Sequence, residues 1–551
     1  MTAPPPDARL RAVVAIPARD EDERIGDCLR ALAGQSGLDS GAFEVVLVLD
    51  RCRDATRATA LQTAAGLPGL ALSVLECDVP GAGHARRMGM DVACERLLAA
   101  GRPDGLIAST DADSRVAPDW LAIQLALAGK GARAIGGRID LDAREASALA
   151  PAILDDRAAQ ARARLANVRP GAERCEHHHF SGASLAVTAR TYREVGGLPI
   201  GEALEDEALG RALEDRGIPI LRTNSVRVTT SARTRGRASR GLARDLALAD
   251  WRARRSFRGD AFSAGELLDR KTGPISVILP AREVASTIAQ IVDAVAALRD
   301  LGLVDEILVV DAASRDGTAA IAAGHGAVVL QEDELLAGHG PARGKGDAMW
   351  RALSVARGET VVYVDADTRD FSAAFVVGLL GPLLTRPEIR FVKGAFRRPF
   401  TAGDRALAGE GGRVTELVAR PLLNLYAPHL AGFDQPLAGE IAADAGLLRG
   451  LRFPVGYGVE IANLIDAAEA AGIDALAQVD LGERQNRHQP LRDLSAMSYA
   501  VMVAAAARLR DARLTGAPPA GRLALPPAEG ETAGETRHVA VIERPALDSL
   551  S

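Results

Sequence analysis

Two stretches of the chain decide its fold: RAVVAIPARD at residues 11–20 and PISVILPARE at residues 274–283. Each is a short apolar run that ends in Pro-Ala-Arg followed by an acidic residue. Each is then followed by a helical pattern. A short apolar run bounded in this way predicts a buried strand, and the helical pattern after it predicts a crossover helix. The chain therefore begins the same βα unit twice.

Two further landmarks repeat in the same order. FEVVLVLD ends at Asp50 and DEILVVD ends at Asp311, while GLIASTDAD ends at Asp113 and ETVVYVDAD ends at Asp367. Alternating strands and helices predict a mainly parallel, Rossmann-like sheet covered on both faces. In open α/β sheets ligands bind beyond the carboxyl ends of the strands, which is where these landmarks fall. We therefore expect an α/β chain with two tandem domains.

The composition shift between the repeats predicts the domain boundaries. Residues 252–273 are polar, basic and contain glycine, so we expect a linker there between a first domain, 1–251, and a second domain, 274–515. Residues 516–551 begin with a Pro/Gly/Glu-rich stretch and are expected to form a C-terminal tail, whose last residues could dock as a strand.

Charge and composition exclude several classes of protein. The chain has 551 residues, of which 48% are hydrophobic, and a net charge of -6, which is the balance of a globular protein and not of a general nucleic-acid binder. No apolar run is long enough to span a bilayer, and the first residues lack the apolar region of a secretory signal. The five cysteines never form CxxC, so we expect reduced thiols in a cytoplasmic protein.

The repeated Asp-Ala-Asp motifs indicate metal chemistry. Asp111 and Asp113, like Asp365 and Asp367, are two residues apart just beyond a strand. Carboxylates so placed can converge on Mg²⁺ or Mn²⁺, which commonly bridges protein carboxylates and substrate phosphates. One such pair is more often a capped turn. Two pairs at equivalent places in a repeat favour metal binding.

These landmarks, with Pro17-Ala18-Arg19-Asp20-Glu21 and the Glu205-Asp206 pair, make residues 11–250 resemble inverting family-2 glycosyltransferases of the GT-A fold. A carboxylate near the donor's anomeric carbon can take the acceptor's proton as the glycosidic bond forms. The acceptor of this domain stays open. The resemblance implies nucleotide-sugar contacts at Pro17, Ala18, Asp50 and Asp111, a metal ligand at Asp113 and a catalytic base at Asp206.

The second half resembles a narrower family, the glucosyl-3-phosphoglycerate synthases. The similar segments are KGDAMWRAL (345–353), VKGAFRRPF (392–400), GGRVTELVARPLLNLYAPHLAGFDQPLAGE (411–440), PVGYGVEIANLIDA (454–467) and QVDLGERQNRHQPLRDLSAM (478–497). The resemblance implies a GT-A domain that moves glucose from a UDP- or GDP-linked donor to the 2-hydroxyl of 3-phosphoglycerate. It also implies retention of configuration and a requirement for Mg²⁺ or Mn²⁺.

The same resemblance assigns site residues. The acceptor is a small anion, which suits an Arg that can bind phosphate in a bidentate manner and glycines that allow close backbone approach. Lys345 would reach a donor phosphate as a point charge, and Glu460 would act in catalysis by holding glucose hydroxyls. The remaining implied contacts are the donor site (Pro280, Ala281, Arg282, Glu283, Ser314, Asp365, Tyr457), the acceptor site (Gly411, Gly412, Arg413, Val414, Thr415, Arg484) and the metal ligands (Asp367, His488).

The sequence departs from the family pattern in two places. Residues 280–284 read Pro-Ala-Arg-Glu-Val where the family usually has Pro-Ala-x-Asn-Glu, so the donor nucleobase stays open between uracil and guanine. The late metal-binding histidine aligns with Asn486, and His488 stands two residues further on. Side chains at i and i+2 of a strand share a face, so we expect His488 to bind the metal.

Two alternatives remain. The first domain could be a non-catalytic dimerisation or regulatory module, although its retained Asp111, Asp113 and Asp206 argue against this. The chain could also be a nucleotidyltransferase, but those enzymes carry a Gly-rich loop with Arg and Lys where this chain has PARDEDE and PAREVAS. The five arginines within residues 231–245 form either a solvated surface or a loop over a diphosphate. The oligomeric state, including a homodimer, is open.

Overall fold

The computed structural model describes residues 5–166, 168, 175–199, 205–234, 236, 241–397, 400–402, 405–407, 412–484, 491–509, 522–525 and 535–538. The chain divides into two compact units, Met1–Asp250 and Trp251–Ser551. We call them unit 1 and unit 2.

Unit 1 is built on one eight-stranded mixed sheet with the order β3-β2-β1-β4-β7-β6-β8-β5. The strands β1 to β4 are parallel, and β7 runs antiparallel to β4 and β6. Its strands are β1 (Ala12–Ala18), β2 (Phe43–Asp50), β3 (Leu72–Cys77), β4 (Leu106–Ser109), β5 (Ser114–Val116), β6 (Ala134–Leu141), β7 (Leu185–Thr188) and β8 (Ile220–Thr230). Its helices are α1 (Ile25–Ala33), α2 (Thr56–Ala65), α3 (Ala82–Ala99), α4 (Trp120–Gly129), α5 (Ala143–Ala146), α6 (Pro151–Ala166), α7 (Ala189–Glu194), α8 (Glu205–Asp215) and α9 (Leu242–Arg255), which continues into unit 2.

Unit 2 repeats this plan in a second eight-stranded sheet with the order β12-β11-β10-β13-β17-β14-β18-β9. Its strands are β9 (Ser256–Arg258), β10 (Ile275–Ala281), β11 (Glu306–Asp311), β12 (Val328–Gln331), β13 (Thr360–Tyr363), β14 (Phe391–Arg397), β15 (Phe400–Ala402), β16 (Arg405–Leu407), β17 (Ile441–Asp444), β18 (Leu476–Glu483), β19 (Arg522–Leu525) and β20 (Glu535–His538). Its helices are α10 (Ala264–Arg270), α11 (Ile288–Asp300), α12 (Thr318–Gly324), α13 (Lys345–Leu353), α14 (Ala373–Thr385), α15 (Arg420–Tyr426), α16 (Ala445–Arg449), α17 (Val459–Ala471) and α18 (Leu491–Arg508).

Both central strands are buried on two faces, which explains their unbroken apolar runs. In β1, Val13 packs into one apolar cluster and Val14 into another on the opposite face. In β10, Val277 and Ile278 divide in the same way. Successive side chains of a strand point to opposite faces, so an apolar run of this kind needs helices on both sides of the sheet. The prediction of two tandem, mainly parallel α/β domains is confirmed.

The segment 252–273, predicted as a linker, is instead a folded part of unit 2. The indole of Trp251 is buried and its Nε1–H donates to the carbonyl oxygen of Ile473 at 3.0 Å. Residues 256–258 form β9, which pairs in parallel with β18. The basic composition misled the prediction because arginines of this segment form ion pairs, such as Arg255 with Glu388 at 2.8 Å.

The predicted tail contains a small antiparallel pair, β19 and β20. The other residues of 516–551 lie outside the described residues. The five cysteines are not bonded to one another in the structure. Within the described part of the chain, no helix combines the length and apolar character that crossing a bilayer requires.

Candidate active sites in two units

The loops after β1 and β10 have the same unusual backbone. Asp20 and Glu283 both have a φ of 52°, in the left-handed region that non-glycine residues seldom adopt. Their carboxylates compensate by accepting backbone hydrogen bonds, from the N–H of Arg53 at 2.7 Å and of Arg315 at 2.9 Å. Each loop is thereby held against the loop that follows the neighbouring strand. The predicted nucleotide-binding residues Pro17, Ala18, Pro280 and Ala281 end the strands that lead into these loops.

The aspartates that end β2 and β11 are buried and organise the same edge. Asp50 accepts the N–H of Gly81 at 3.2 Å and lies 3.3 Å from Arg51. Asp311 accepts the N–H of Ser314 at 3.1 Å. The predicted donor contact Ser314 also accepts, through Oγ, the N–H of Glu283 at 2.9 Å.

At the centre of unit 1 a buried arginine joins the Asp-Ala-Asp motif to the start of α8. The Arg86 guanidinium contacts Asp111 at 2.7 Å and Glu205 at 2.8 Å. It also donates to Ser109 Oγ at 2.6 Å and to the carbonyl oxygen of Gly182 at 3.0 Å. Burial lowers the pKa of Arg86, but the charges of Asp111 and Glu205 outweigh it and raise the pKa above its ordinary value.

The predicted base, Asp206, lies beside this cluster with a fixed carboxylate. Its Oδ2 accepts the hydroxyl of Ser181 at 2.8 Å and the N–H of Gly182 at 2.9 Å. Because Gly182 also contacts Arg86 through its carbonyl oxygen, one short segment links Asp206 to Asp111. The structure thus links, through Gly182 and Arg86, the carboxylate predicted to contact the donor and the carboxylate predicted to act as the base.

The predicted metal ligand of unit 1, Asp113, is paired with an arginine. Arg233 contacts Asp113 at 2.9 Å and binds both oxygens of Glu21, at 2.5 and 2.8 Å. Burial and the charge of Asp111 raise the pKa of Asp113 to about 6, although Arg233 opposes this. The basic segment 231–245 therefore contributes an inward-facing arginine, which the sequence left undecided.

Unit 2 has a denser cluster around its own motif. Lys345 Nζ lies 2.5 Å from Asp365 Oδ1 and 2.9 Å from Glu460 Oε1. Arg484 contacts the other oxygen of Asp365 at 3.0 Å and forms a fully buried ion pair with Glu440. Lys345 orients two carboxylates, and its predicted contact with a donor phosphate stays a prediction. Arg484, predicted to bind the acceptor, is fully buried and supports the cluster from within the protein.

The two aspartates of this motif differ in their charge environment. Burial would raise the pKa of Asp365, but Lys345 and Arg484 hold it well below its ordinary value. The pKa of Asp367 is raised, by partial desolvation of its carboxylate and by the nearby charge of Asp365. The Asp367 side chain is also 57% exposed and meets Arg484 only at 3.5 Å. A solvent-facing carboxylate with weak compensation fits a divalent cation.

The loop that precedes β17 packs against the cluster through Gly439 and is held by Lys393, and neither residue was predicted from the sequence as a site residue. A side chain at Gly439 would place its Cβ 2.3 Å from Lys345 Nζ and 2.4 Å from Asp365 Oδ1. Lys393 Nζ donates to the carbonyl oxygen of Ala438 at 2.9 Å. Lys393 is 1% exposed, and burial lowers its pKa to about 8. The chain has only four lysines, and this scarcity was the sequence feature that could have pointed to Lys393.

The acceptor segment predicted from the sequence begins near the same loop. Gly412 has a φ of 77°, and a Cβ there would lie 3.9 Å from the Gln435 side chain. Val414 and Thr415 are buried, and Arg413 is half-buried just before the helical turn that starts at Thr415. Gly411, Asn486 and His488 lie outside the described residues. Tyr457 and Arg282, both predicted donor contacts, are exposed.

Comparison of the two units shows one substitution at the reaction centre. Glu205 and Glu460 occupy equivalent positions, because each stands twelve residues before a Gly-Ile dipeptide. Each also forms an ion pair with the basic residue, Arg86 or Lys345, that binds the first aspartate of its Asp-Ala-Asp motif. The next residue is Asp206 in unit 1 and the buried, apolar Ile461 in unit 2. Unit 2 therefore lacks a carboxylate at the position of the predicted base.

The chain is similar to known glycosyltransferases in both units. Residues 9–247 match the family described as glycosyltransferase like family 2, and residues 276–374 match glycosyl transferase family 2. The glucosyl-3-phosphoglycerate synthase of Mycolicibacterium paratuberculosis is 44% identical over 280 residues, which are 50% of this chain and 85% of the relative. That of Petrotoga mobilis is 46% identical over 197 residues, which are 36% of this chain and 61% of the relative.

Solved structures of two similar proteins cover about half of this chain. Mannosyl-3-phosphoglycerate synthase from Rubrobacter xylanophilus is 48% identical, and the match covers 55% of this chain and 99% of that one with a TM-score of 0.46. Glucosyl-3-phosphoglycerate synthase from Mycobacterium tuberculosis, in complex with Mn²⁺, UDP-glucose and phosphoglyceric acid, is 39% identical. This match covers 53% of this chain and 96% of that one, with a TM-score of 0.42. Because a relative of 44% identity is matched over 85% of its length, this chain belongs to the glucosyl-3-phosphoglycerate synthase family of glycosyltransferases.

Proposed function

We propose that unit 2 transfers glucose from a nucleoside diphosphate glucose to the 2-hydroxyl of 3-phosphoglycerate, with retention of configuration. The observation that carries the proposal is the Lys345–Asp365–Glu460 cluster beside the exposed carboxylate of Asp367. The similarity to glucosyl-3-phosphoglycerate synthases over most of their length supports the choice of acceptor.

Different residues of the site would contact the sugar, the diphosphate and the nucleoside of the donor. Lys345 holds the carboxylates of Asp365 and Glu460 in place, so their oxygens can accept hydrogen bonds from sugar hydroxyls. Asp367, joined by His488, would hold Mg²⁺ or Mn²⁺. When bound, this ion would neutralise charge on the leaving diphosphate. Pro280, Ala281, Glu283 and Ser314 would contact the nucleoside.

The acceptor is a trianion and needs positive charge and backbone N–H groups. Gly412 allows a close backbone approach in its left-handed conformation, and Arg413 supplies a planar guanidinium for the phosphate or carboxylate. Thr415 adds a hydroxyl. Gly412 lies near Gln435, in the same segment as Gly439, which lies against Asp365.

Ile461 supports retention. An inverting enzyme needs a base that takes the acceptor proton on the face opposite the leaving group. Unit 2 has an apolar side chain where unit 1 has Asp206. The absence of a carboxylate at this position favours a retaining route, such as attack from the same face as the leaving diphosphate, over single displacement with a base there.

For unit 1 we propose an inverting glycosyl transfer to a different acceptor, with Asp206 as the base. The carboxylate keeps one oxygen bonded to Ser181 and Gly182, which fixes it beside the residue whose carbonyl oxygen binds Arg86, the partner of Asp111. The match to glycosyltransferase like family 2 over residues 9–247 supports this class over a non-catalytic module.

The test of the unit 2 proposal is product analysis. The purified chain is incubated with 3-phosphoglycerate, Mg²⁺ or Mn²⁺, and UDP-glucose, GDP-glucose or GDP-mannose, and the products are separated by mass. The anomeric coupling constant of the product then gives its configuration. We expect an α-linked glucosyl-3-phosphoglycerate. A mannosyl product only, or a β-linked one, would contradict the sugar or the stereochemistry that we propose.

Unit 1 is tested in an Asp367→Ala background, in which unit 2 is disabled. A panel of UDP- and GDP-sugars is offered with candidate hydroxyl acceptors, and release of the nucleoside diphosphate is measured. We expect Asp206→Asn to remove the turnover, and Asp215→Asn, an exposed change in the last turn of the same helix, to retain it. Equal turnover in Asp206→Asn would exclude this residue as the base.

A further inference from the structure

The second aspartates of the two Asp-Ala-Asp motifs have different surroundings. The Asp113 side chain is 15% exposed and lies 2.9 Å from the Arg233 guanidinium. The Asp367 side chain is 57% exposed. The position that a divalent cation would take on Asp113 is therefore occupied by a cation of the protein itself.

Arg233 is anchored at this position by a second buried carboxylate. Glu21 binds the guanidinium through both oxygens, at 2.5 and 2.8 Å, and its side chain is 7% exposed. A bidentate pair fixes the plane of the guanidinium as well as its position. Arg233 thus bridges Glu21, in the loop after β1, and Asp113, in the loop after β4.

The repeat supplies an internal comparison. The N–H of Glu21 donates to Thr56 Oγ1 at 2.7 Å, and the N–H of Val284 donates to Thr318 Oγ1 at 2.9 Å. Glu21 and Val284 are therefore equivalent positions in the two loops. A valine cannot anchor an arginine, so unit 2 lacks the carboxylate that holds Arg233 in unit 1. The two differences between the units are therefore consistent: Glu21 anchors an arginine on Asp113 in unit 1, while Val284 cannot do so and Asp367 is exposed in unit 2.

A divalent ion bound to Asp113 would be repelled by the adjacent Arg233 guanidinium. Arg86 is likewise bound to Asp111 and Glu205, so two guanidiniums already pair with the four carboxylates around this motif. These groups are mostly buried, where charges interact more strongly than in water. Mg²⁺ or Mn²⁺ could bind Asp113 only by displacing a guanidinium held by two carboxylates.

We infer that Asp113 is not a metal ligand and that Arg233 takes the place of the metal ion in unit 1. An arginine suits this role because its planar fork binds phosphate oxygens in a bidentate manner. The inference rests on the proposed function of unit 1 as a nucleotide-sugar enzyme, since only then does a diphosphate need this cation. The chain therefore joins one metal-dependent site to one metal-independent site.

The test counts Mn²⁺ bound to the full-length chain in the presence of saturating UDP, by electron paramagnetic resonance of free Mn²⁺. We expect a single Mn²⁺ per chain in the wild type and in Asp113→Ala, and none in Asp367→Ala. Arg233→Ala should gain a second Mn²⁺, which the double variant Arg233→Ala/Asp113→Ala should lose. Arg216→Ala, an exposed arginine of the same unit, should bind as the wild type does.

Two results would overturn the inference. The first is a wild type that binds two Mn²⁺ and loses one in Asp113→Ala. The second is an Arg233→Ala chain that gains no Mn²⁺, with a melting profile like that of the wild type. Neither result bears on Asp206, whose turnover assay tests the glycosyltransferase function of unit 1 separately.

Discussion

Replacing Lys345 by Met should destabilise unit 2, because it leaves the largely buried carboxylates of Asp365 and Glu460, which are 19% and 10% exposed, without their cation. Lys345 Nζ lies 2.5 Å from Asp365 and 2.9 Å from Glu460. Removing one partner of a buried ion pair typically costs about 3–5 kcal/mol. Arg484 still contacts Asp365 at 3.0 Å, so we expect the lower end, about 3 kcal/mol. For a unit of about 300 residues that corresponds to a fall in Tm of about 5 °C.

Differential scanning calorimetry measures this effect, and Lys271→Met is the matched control. Lys271 is another lysine of unit 2 that pairs with a carboxylate, Asp305 at 2.6 Å, but Asp305 is exposed. A surface pair contributes about 0–1 kcal/mol, so its removal should lower Tm by no more than about 2 °C. A Lys345→Met shift no larger than that of Lys271→Met would refute the reasoning.

The pH dependence of the Lys345→Met effect follows from the two pKa shifts. The pKa of Asp365 is lowered, so its stabilising contribution is present above the unfolded value near 4 and is lost as the pH falls. The pKa of Lys345 is raised against burial by Asp365 and Glu460, so its contribution persists up to the unfolded value near 10. The difference in Tm between wild type and variant should be constant from about pH 5 to 9 and shrink below about pH 4.

Three further changes in unit 2 give separate tests. Arg413→Lys should raise the KM for 3-phosphoglycerate about tenfold, the equivalent of one charged hydrogen bond, with little change in the KM for the donor; equal KM values for wild type and variant would exclude the phosphate contact. Gly439→Ala should lower kcat by about 100-fold, because its Cβ would displace Lys345 and Asp365; an unchanged kcat would show that this geometry is not required. Burial lowers the pKa of Lys393 to about 8, so the folded protein binds this proton more weakly than the unfolded chain. The wild type should therefore gain stability over Lys393→Met from about pH 8 to 10, by up to about 1.4 kcal/mol per pH unit, in thermal melts; a constant difference would contradict the shift.

The sequence predicted the strand edges well because they are defined by local pattern. Pro17 and Pro280 end equivalent strands whose apolar runs are buried on both faces, and Asp50 and Asp311 end their neighbours. Such runs need no knowledge of distant contacts. The repeat then gave the tandem architecture directly, since the same order of landmarks returned in the second half.

The partners of each charged residue could not be predicted in this way. Arg233 lies 212 positions from Glu21, and Arg484 lies 119 positions from Asp365. Pairing across such distances depends on which loops the sheet brings to one edge. The sequence accordingly treated Arg484 as an acceptor contact, although it is buried beneath the carboxylates. The linker was misjudged for the same reason, because the ion pairs that bury its arginines are formed with residues far along the chain.

The central claim is that glucosyl transfer to 3-phosphoglycerate belongs to unit 2 and depends on Asp367. The most direct measurement is the rate of glucosyl-3-phosphoglycerate formation by full-length Asp367→Ala and Asp113→Ala chains at saturating donor, acceptor and Mn²⁺. We predict loss of product in Asp367→Ala, because the exposed carboxylate that fits the cation is removed, and a rate near that of the wild type in Asp113→Ala. Product formation that survives in Asp367→Ala, or that disappears in Asp113→Ala, would contradict this division of labour.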